Sequence, residues 1–281
     1  MSAVLDIRNL SARAGDTPVL RGISLKVNRG EAMALVGESG AGKSTIAKAI
    51  LGILPAGIEV TSGEIEFQGT NLLKLRPAEM RALLGVKIAL IPQDPQTSLN
   101  PSRRIGNQLT DGLRLRAGMA KAEAREKAVS LLADVHIRDP QSVLTRYPHE
   151  LSGGMRQRVL IAQAFSLNPD VIIADEPTTA LDVTVQKQVL RLIRQLQRDH
   201  GTTLLFVTHD LGVVAQICDR MTVLYGGKAL EQGATKSVLR RPSHNYTRAL
   251  LAANPRYDRP RQSLKPVPEK LIARLRREIA R

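Results

Sequence analysis

The chain has 281 residues, a net charge of +15, 43% hydrophobic residues, 24% charged residues and one cysteine, Cys218. That length suits one large α/β domain with a subdomain or tail, of ordinary globular composition. No apolar run approaches the roughly 20 residues of a membrane span, the N-terminus has no signal-peptide pattern, and one cysteine excludes an internal disulfide and a Cys-based metal site, so a cytoplasmic protein is expected. The positive surplus attracts nucleic acid, an anionic membrane surface or nucleotides. Aromatics are only 2% of residues, and the first is Phe67, so a platform for stacking bases is not expected.

The first informative stretch is "EAMALVGESGAGKSTIAKAILGIL". The apolar run Ala32–Val36 predicts a short buried strand. Gly37, Glu38, Ser39, Gly40, Ala41, Gly42, Lys43 and Ser44 then spell G-x-x-x-x-G-K-S, the phosphate-loop pattern, with Thr45 opening a helix. In such a loop successive backbone N–H groups point at phosphate oxygens, and the following helix adds its own unpaired N–H groups. Lys43 places a cation on the terminal phosphates of ATP, and the Ser44 hydroxyl is a ligand for Mg²⁺.

Further along, "YPHELSGGMRQRVLIAQAFSLNPD" offers Ser152 as an N-cap, with Gly153 and Gly154 leaving the helix start open. Val159, Leu160, Ala164 and Leu167 are placed along an amphipathic helix. The run Val171 to Ala174 predicts a second buried strand, and it ends in Asp175 and Glu176. Two acids at a buried strand's tip are costly unless something there needs them. With a phosphate loop upstream, Asp175 is assigned to Mg²⁺ and Glu176 to the attacking water. A helical pattern follows to Gly201. Then comes the apolar run Leu204 to Val207, with His209 just beyond. Open α/β sheets bind ligands at the carboxyl ends of their strands, so His209 is expected to face the γ-phosphate.

The last stretch, Arg256 to Arg281, carries nine Lys/Arg against three Asp/Glu, a basic tail. Within it "EKLIARLRREIAR" sets Leu271, Ile272, Leu275 and Ile279 along one helical side, suited to an anionic leaflet or to a partner's surface. Cys218 reads as a small core residue. His136, His149, His200 and His244 show no ligand spacing and read as surface or structural.

"LSGGMRQR" resembles the signature motif of ATP-binding cassette (ABC) ATPases. With it stand Gln93 in "LIPQDP" (Q-loop), Ala180-Leu181-Asp182 (D-loop) and His209 (switch histidine), in the family's order over about residues 3 to 255. "PQDPQTSLNP" and "RRPSHNYTRALLAANP" resemble the importer subfamily for peptides, nickel and opines, and "LGILPAGIEVTSGEI" resembles its nickel-uptake members. The resemblance implies an α/β fold: a RecA-like P-loop NTPase cassette over 1–255 with an antiparallel β subdomain. It also implies a helical signature subdomain at about 93–168, a C-terminal importer motif at about 232–255 and a tail at 256–281.

It further implies that two cassettes sandwich two ATP molecules, so that Ser152, Gly153, Gly154 and Asp182 serve the site shared with a partner. Gln93 senses Mg²⁺ and water, and the segment from Gln93 to Ile105 links the site to the membrane subunits. The expected function is the ATP-hydrolysing subunit of a multi-subunit importer, peripheral on the cytoplasmic face of the inner membrane. The implied partners are two transmembrane permease subunits, a second ABC ATPase subunit as a heterodimer or homodimer, and, indirectly, an extracytoplasmic solute-binding protein. No nucleic acid is expected; the rival is a soluble ABC ATPase acting on nucleic acid or ribosomes. A nucleotide-binding regulator without hydrolysis fits poorly, because Glu176 and His209 are both in place.

Two residues depart from the family's pattern. Met155 stands for the usual signature glutamine, as in other importers of this type. Ala14 falls where most cassettes stack an aromatic on adenine, and Arg13 is the nearest side chain with a planar group. Some subfamily members carry a four-cysteine iron–sulfur segment, which a chain with only Cys218 lacks.

Overall fold

The computed structural model describes residues 3–179, 181–253 and 267–280. They divide into two compact units, Met1–Leu75 with Leu205–Arg281, and Arg76–Leu204.

The first unit begins with β1 (Ala3–Ala14) and β2 (Thr17–Asn28), an antiparallel hairpin. The loop strand β3 (Ala32–Val36) and α1 (Lys43–Ile50) follow, and then β4 (Ile58–Phe67) and β5 (Thr70–Asn71). The strands β2-β1-β4-β5 form one antiparallel sheet. Its inward side is apolar by alternation: Ile23, Leu25 and Val27 are buried, while Ser24 and Lys26 between them are exposed. Asp6 is buried on β1 and is held by Arg8 at 2.8 Å and Lys26 at 3.3 Å. All five residues of β3 are buried, as an uninterrupted apolar strand demands.

The second unit opens with α2 (Pro77–Leu83) and β6 (Ile88–Ile91), then α3 (Pro95–Ser98), α4 (Ile105–Ala117), α5 (Lys121–Asp134) and α6 (Pro140–Thr145). The helix α7 (Gly153–Phe165), the strand β7 (Val171–Asp175) and α8 (Val183–Asp199) complete it. β6 and β7 run parallel, Ile91 beside Ala174. On α5 the buried residues are Ala124, Ala128, Leu131 and Leu132, the i, i+4, i+7, i+8 stripe of a helix covered on one side. Leu167, placed on the α7 stripe by its spacing, lies past the helix end and is half-buried, because α7 stops at Phe165 and Ser166 caps it.

The strand β8 (Thr203–Thr208) is wholly buried and carries the chain back to the first unit. There α9 (Leu211–Ile217), β9 (Arg220–Tyr225), β10 (Lys228–Ala234), α10 (Thr235–Arg240), α11 (Asn245–Ala253) and α12 (Glu269–Ala280) complete the chain. β9 runs parallel to β3, Val36 beside Val223, and turns back into β10. Cys218 is buried at the end of α9. No described helix is long and apolar enough to cross a membrane.

Candidate functional site

In the first unit, residues 37–42 connect the buried end of β3 to α1. Gly42 precedes the helix with φ 99°, a left-handed conformation that L side chains rarely adopt, and an added Cβ would lie 2.7 Å from Leu20 Cδ2. At Gly37 a Cβ would meet the Leu224 carbonyl oxygen at 2.3 Å, so β9 presses on the loop from below. The turn after β9 adds a hydrogen bond, Gly227 N–H to Ala41 O at 3.2 Å. Lys43 is 95% buried in its own loop, its ammonium donating to the carbonyls of Gly37 (2.8 Å) and Glu38 (2.9 Å). Ser39 and Gly40 are exposed at the tip, and Ser44 and Thr45 open α1 half-buried. His209 is exposed just past β8, the strand beside β3. Asp210 behind it caps α9, accepting from Gly212 N at 2.7 Å.

In the second unit, Val171 to Ala174 are buried and Asp175 and Glu176 emerge half-buried at the end of β7. Glu176 has φ 45°, a left-handed backbone uncommon outside glycine. Such a conformation costs on the order of 1–3 kcal/mol and persists where surrounding structure imposes it. The same carboxylate oxygen of Glu176 accepts from Gln93 Nε2 at 3.3 Å and Thr179 Oγ1 at 3.1 Å. Gln93 and Glu176, 83 positions apart, are thus brought together. Thr179 had no sequence signal of its own. Asp182 caps α8, accepting from Thr184 N and Val185 N at 3.0 Å each; Ala180 before it lies outside the described residues.

Ser152 caps α7 as expected, its hydroxyl accepting from Met155 N at 3.3 Å. Ser152 and Gly153 are exposed, and Arg156 fixes the approach by donating to Pro148 O (2.8 Å) and Leu151 O (3.1 Å). The helix start therefore presents open N–H groups to solvent from a braced position.

The family described as ABC transporter matches residues 20–179, and the family described as oligopeptide/dipeptide transporter, C-terminal region, matches 230–278.

This chain belongs to the ABC transporter family.

The cassette is 48% identical to a probable D,D-dipeptide transport ATP-binding protein of Escherichia coli, over 94% of this chain and 82% of that one. It is 44% identical to a dipeptide transport ATP-binding protein of Bacillus subtilis, over 95% and 81% of the two chains. A solved ATP-binding cassette dimer in a post-hydrolysis state with ADP and Pi superposes with a TM-score of 0.72 at 27% identity, covering 82% of this chain and 98% of that one. The protein is an ATPase cassette of this family, with the expected P-loop α/β fold.

The chemistry of the donors suits a nucleotide and its metal. The loop offers a buried ammonium and a helix start, as an anionic phosphate chain requires. Ser44 and Asp175 are oxygen donors, the type that Mg²⁺ prefers. His136 is exposed, His149 stacks on Tyr147 at 5.6 Å, His200 lies tilted against Phe165 at 5.6 Å, and His244 Nδ1 accepts from Tyr246 N at 3.1 Å. Among the described residues no cluster of His, Cys, Asp and Glu makes a dedicated metal site.

Sequence reasoning missed the grip on the segment before α11. Burial pushes the Glu231 carboxyl up, but donors from Ser243 and His244 outweigh it and hold it below the ordinary value of 4.5. Ser243 N and Oγ donate at 2.7 and 2.8 Å and His244 N at 3.1 Å. The only sequence signal was a glutamate on a strand followed by "PSHNYT".

Proposed function

We propose that this ATPase cassette energises the uptake of short peptides or similar small solutes through a multi-subunit importer. The observation that carries the reading is the oligopeptide/dipeptide transporter C-terminal region over 230–278, following the cassette in one chain. The dipeptide-transport names of relatives sharing more than two-fifths of their residues support it. A glutathione import ATP-binding protein of Salmonella typhimurium, 47% identical over 84% of this chain and 39% of that one, supports the same cargo class. Nothing in the comparisons supports the nucleic-acid or ribosome alternative.

In this reading residues 1–255 are the cassette, with the helical subdomain at about 93–168, and 256–281 are the tail. The chain docks on two permease subunits at the cytoplasmic face of the membrane and pairs with a second cassette. The N–H groups of Gly40 to Thr45 and the Lys43 ammonium bind and orient the phosphates of ATP. Ser44, Gln93 and Asp175 would hold Mg²⁺, which would draw charge from the phosphate oxygens.

Glu176 accepts a proton from the attacking water as its oxygen bonds to the γ-phosphorus and the bond to the β-bridging oxygen breaks. Gln93 and Thr179 keep that carboxylate in one orientation through the hydrogen bonds they donate to it. His209 hydrogen-bonds the γ-phosphate. Ser152, Gly153 and Gly154 act on the ATP of the partner cassette, and Asp182 stands at the same junction. ATP favours the closed pair and hydrolysis releases it, a shift between two states of different nucleotide affinity.

Uptake of labelled dipeptides, glutathione and Ni²⁺ by vesicles carrying the assembled importer tests the cargo class. ATP-dependent accumulation of a peptide is expected; accumulation of Ni²⁺ alone contradicts it.

A further inference from the structure

Glu176 is held by Thr179, but Thr179 is itself exposed on a turn, so whatever fixes that turn matters to the carboxylate. Within the turn Thr179 N–H bonds to Glu176 O at 3.3 Å and Leu181 N–H to Thr178 O at 3.2 Å. Thr178 is the buried threonine of the two, and its hydroxyl oxygen accepts from Gln186 Nε2 at 3.2 Å. Gln186 lies on α8, and nothing in the reaction as described uses it.

A glutamine can fix a turn only if its own helix is fixed. The start of α8 is closed by Asp182, whose carboxylate caps two N–H groups and whose carbonyl accepts from Gln186 N at 2.8 Å. The side of α8 is seated on α7. A Cβ on Gly154 would lie 3.2 Å from Val185 Cγ1, so the glycine lets the two helices come close. One turn further along α7, Arg158 Nη2 donates to Gln188 Oε1 at 3.2 Å, and its Nη1 donates to Val135 O, at the end of α5, at 2.6 Å. Gly154 and Arg158 stand at i, i+4 on α7, and Val185 and Gln188 at i, i+3 on α8, spacings that share one helix face. Gln186 is turned about 100° round the helix from Val185. It therefore leaves α8 on another side, where Thr178 meets it.

We propose that Gln186 is a positioning residue for Glu176. Its bond to Thr178 holds the turn, the turn holds Thr179 Oγ1 against the carboxylate, and the carboxylate keeps the orientation in which it takes a proton from water. The left-handed backbone of Glu176 gives such a brace something to oppose, since φ 45° persists only where the surroundings impose it. Without the bond the turn gains freedom and the carboxylate spends less time in its productive orientation. The bond acts on the base rather than on the nucleotide, so its loss falls on turnover and leaves KM for ATP alone.

The inference rests on Glu176 being the base, so Glu176→Gln is measured beside the other variants. Phosphate release by the fully assembled transporter is followed against ATP concentration for the wild type, Gln186→Leu, Thr178→Val, Thr178→Ser and the Gln186→Leu/Thr178→Val pair, with the melting temperature of each chain. Gln186→Leu and Thr178→Val should each lower kcat about two- to tenfold, the effect of one hydrogen bond, at unchanged KM. The pair should lose no more than either alone, because both remove the same bond. Thr178→Ser keeps the hydroxyl and should recover what Thr178→Val loses. A wild-type kcat in Gln186→Leu overturns the proposal, as do additive losses in the pair or a loss that comes only with a lower melting temperature. Near wild-type release from Glu176→Gln defeats the base itself. A large fall there, with Gln186→Leu at wild-type kcat, defeats only the role of Gln186.

Discussion

Glu176 combines a left-handed backbone with two donors on one carboxylate oxygen. Neither property is visible in the letters "ADEP", which reveal only that two acids end an apolar run. The assignment of His209 belongs to the same scale. It is exposed. His209→Ala should therefore keep the melting temperature measured without nucleotide and lose most ATPase activity in the assembled complex. A folded variant with wild-type turnover would remove His209 from the reaction.

Ala14 makes a second claim about single residues. It ends β1, paired with Thr17 and Ile58, and its own methyl cannot stack on a base. Stacking of a base on an aromatic is worth about 1–3 kcal/mol. At about 1.4 kcal/mol per tenfold, its absence weakens ATP binding by roughly five- to a hundredfold, with poor discrimination from GTP. Ala14→Tyr should tighten ATP over GTP in a titration of the isolated chain. Low-micromolar ATP affinity in the wild type, with no response to tyrosine, would show that another residue holds the base.

Among the elements, those specified by local pattern were legible. The strand β3, the loop and α1 follow from an apolar run, glycines and a helix start, and α8 from a helical pattern closed by Gly201. What joins distant segments was not. Gln232 Nε2 donates to Ser24 O across 208 positions, and nothing in its own sequence surroundings points there. The tail helix α12 shows the same limit. Its apolar stripe was readable, but Leu275 is buried within the chain itself and Lys228 Nζ donates to Glu278 O at 3.3 Å. Part of the face offered to a membrane or a partner is thus already covered; the side chain of Ile279 lies outside the described residues.

The clamp on α11 yields a prediction about pH. Glu231 has its folded pKa lowered, so its contribution is complete above the ordinary value of 4.5 and fades as pH falls through the lower folded value. Glu231→Gln loses the charge that three donors address and should cost about 1–3 kcal/mol at pH 7. The difference between variant and wild type in denaturant titrations should shrink below pH 4.5. A difference that is constant from pH 7 to pH 3 would mean that the carboxylate is not what holds the segment.

For the molecule as a whole, the +15 charge admitted nucleic acid as a partner, and only the ordered set of motifs decided against it. The net charge is a property of surface and tail; the reaction is a property of a few strand ends. The candidate residues are divided between the two units, Lys43, Ser44 and His209 in one, Gln93, Asp175, Glu176 and the Ser152 helix in the other. The central claim is that Glu176 is the base of the hydrolytic reaction. It is tested most directly by phosphate release from Glu176→Gln in the fully assembled transporter, alongside measurement of bound ATP. Glutamine keeps the shape and the hydrogen bonds but cannot take the proton. Turnover should fall by about 10²–10⁴-fold, the contribution of a positioned base, while ATP binding persists. Near wild-type phosphate release from that variant would contradict the account.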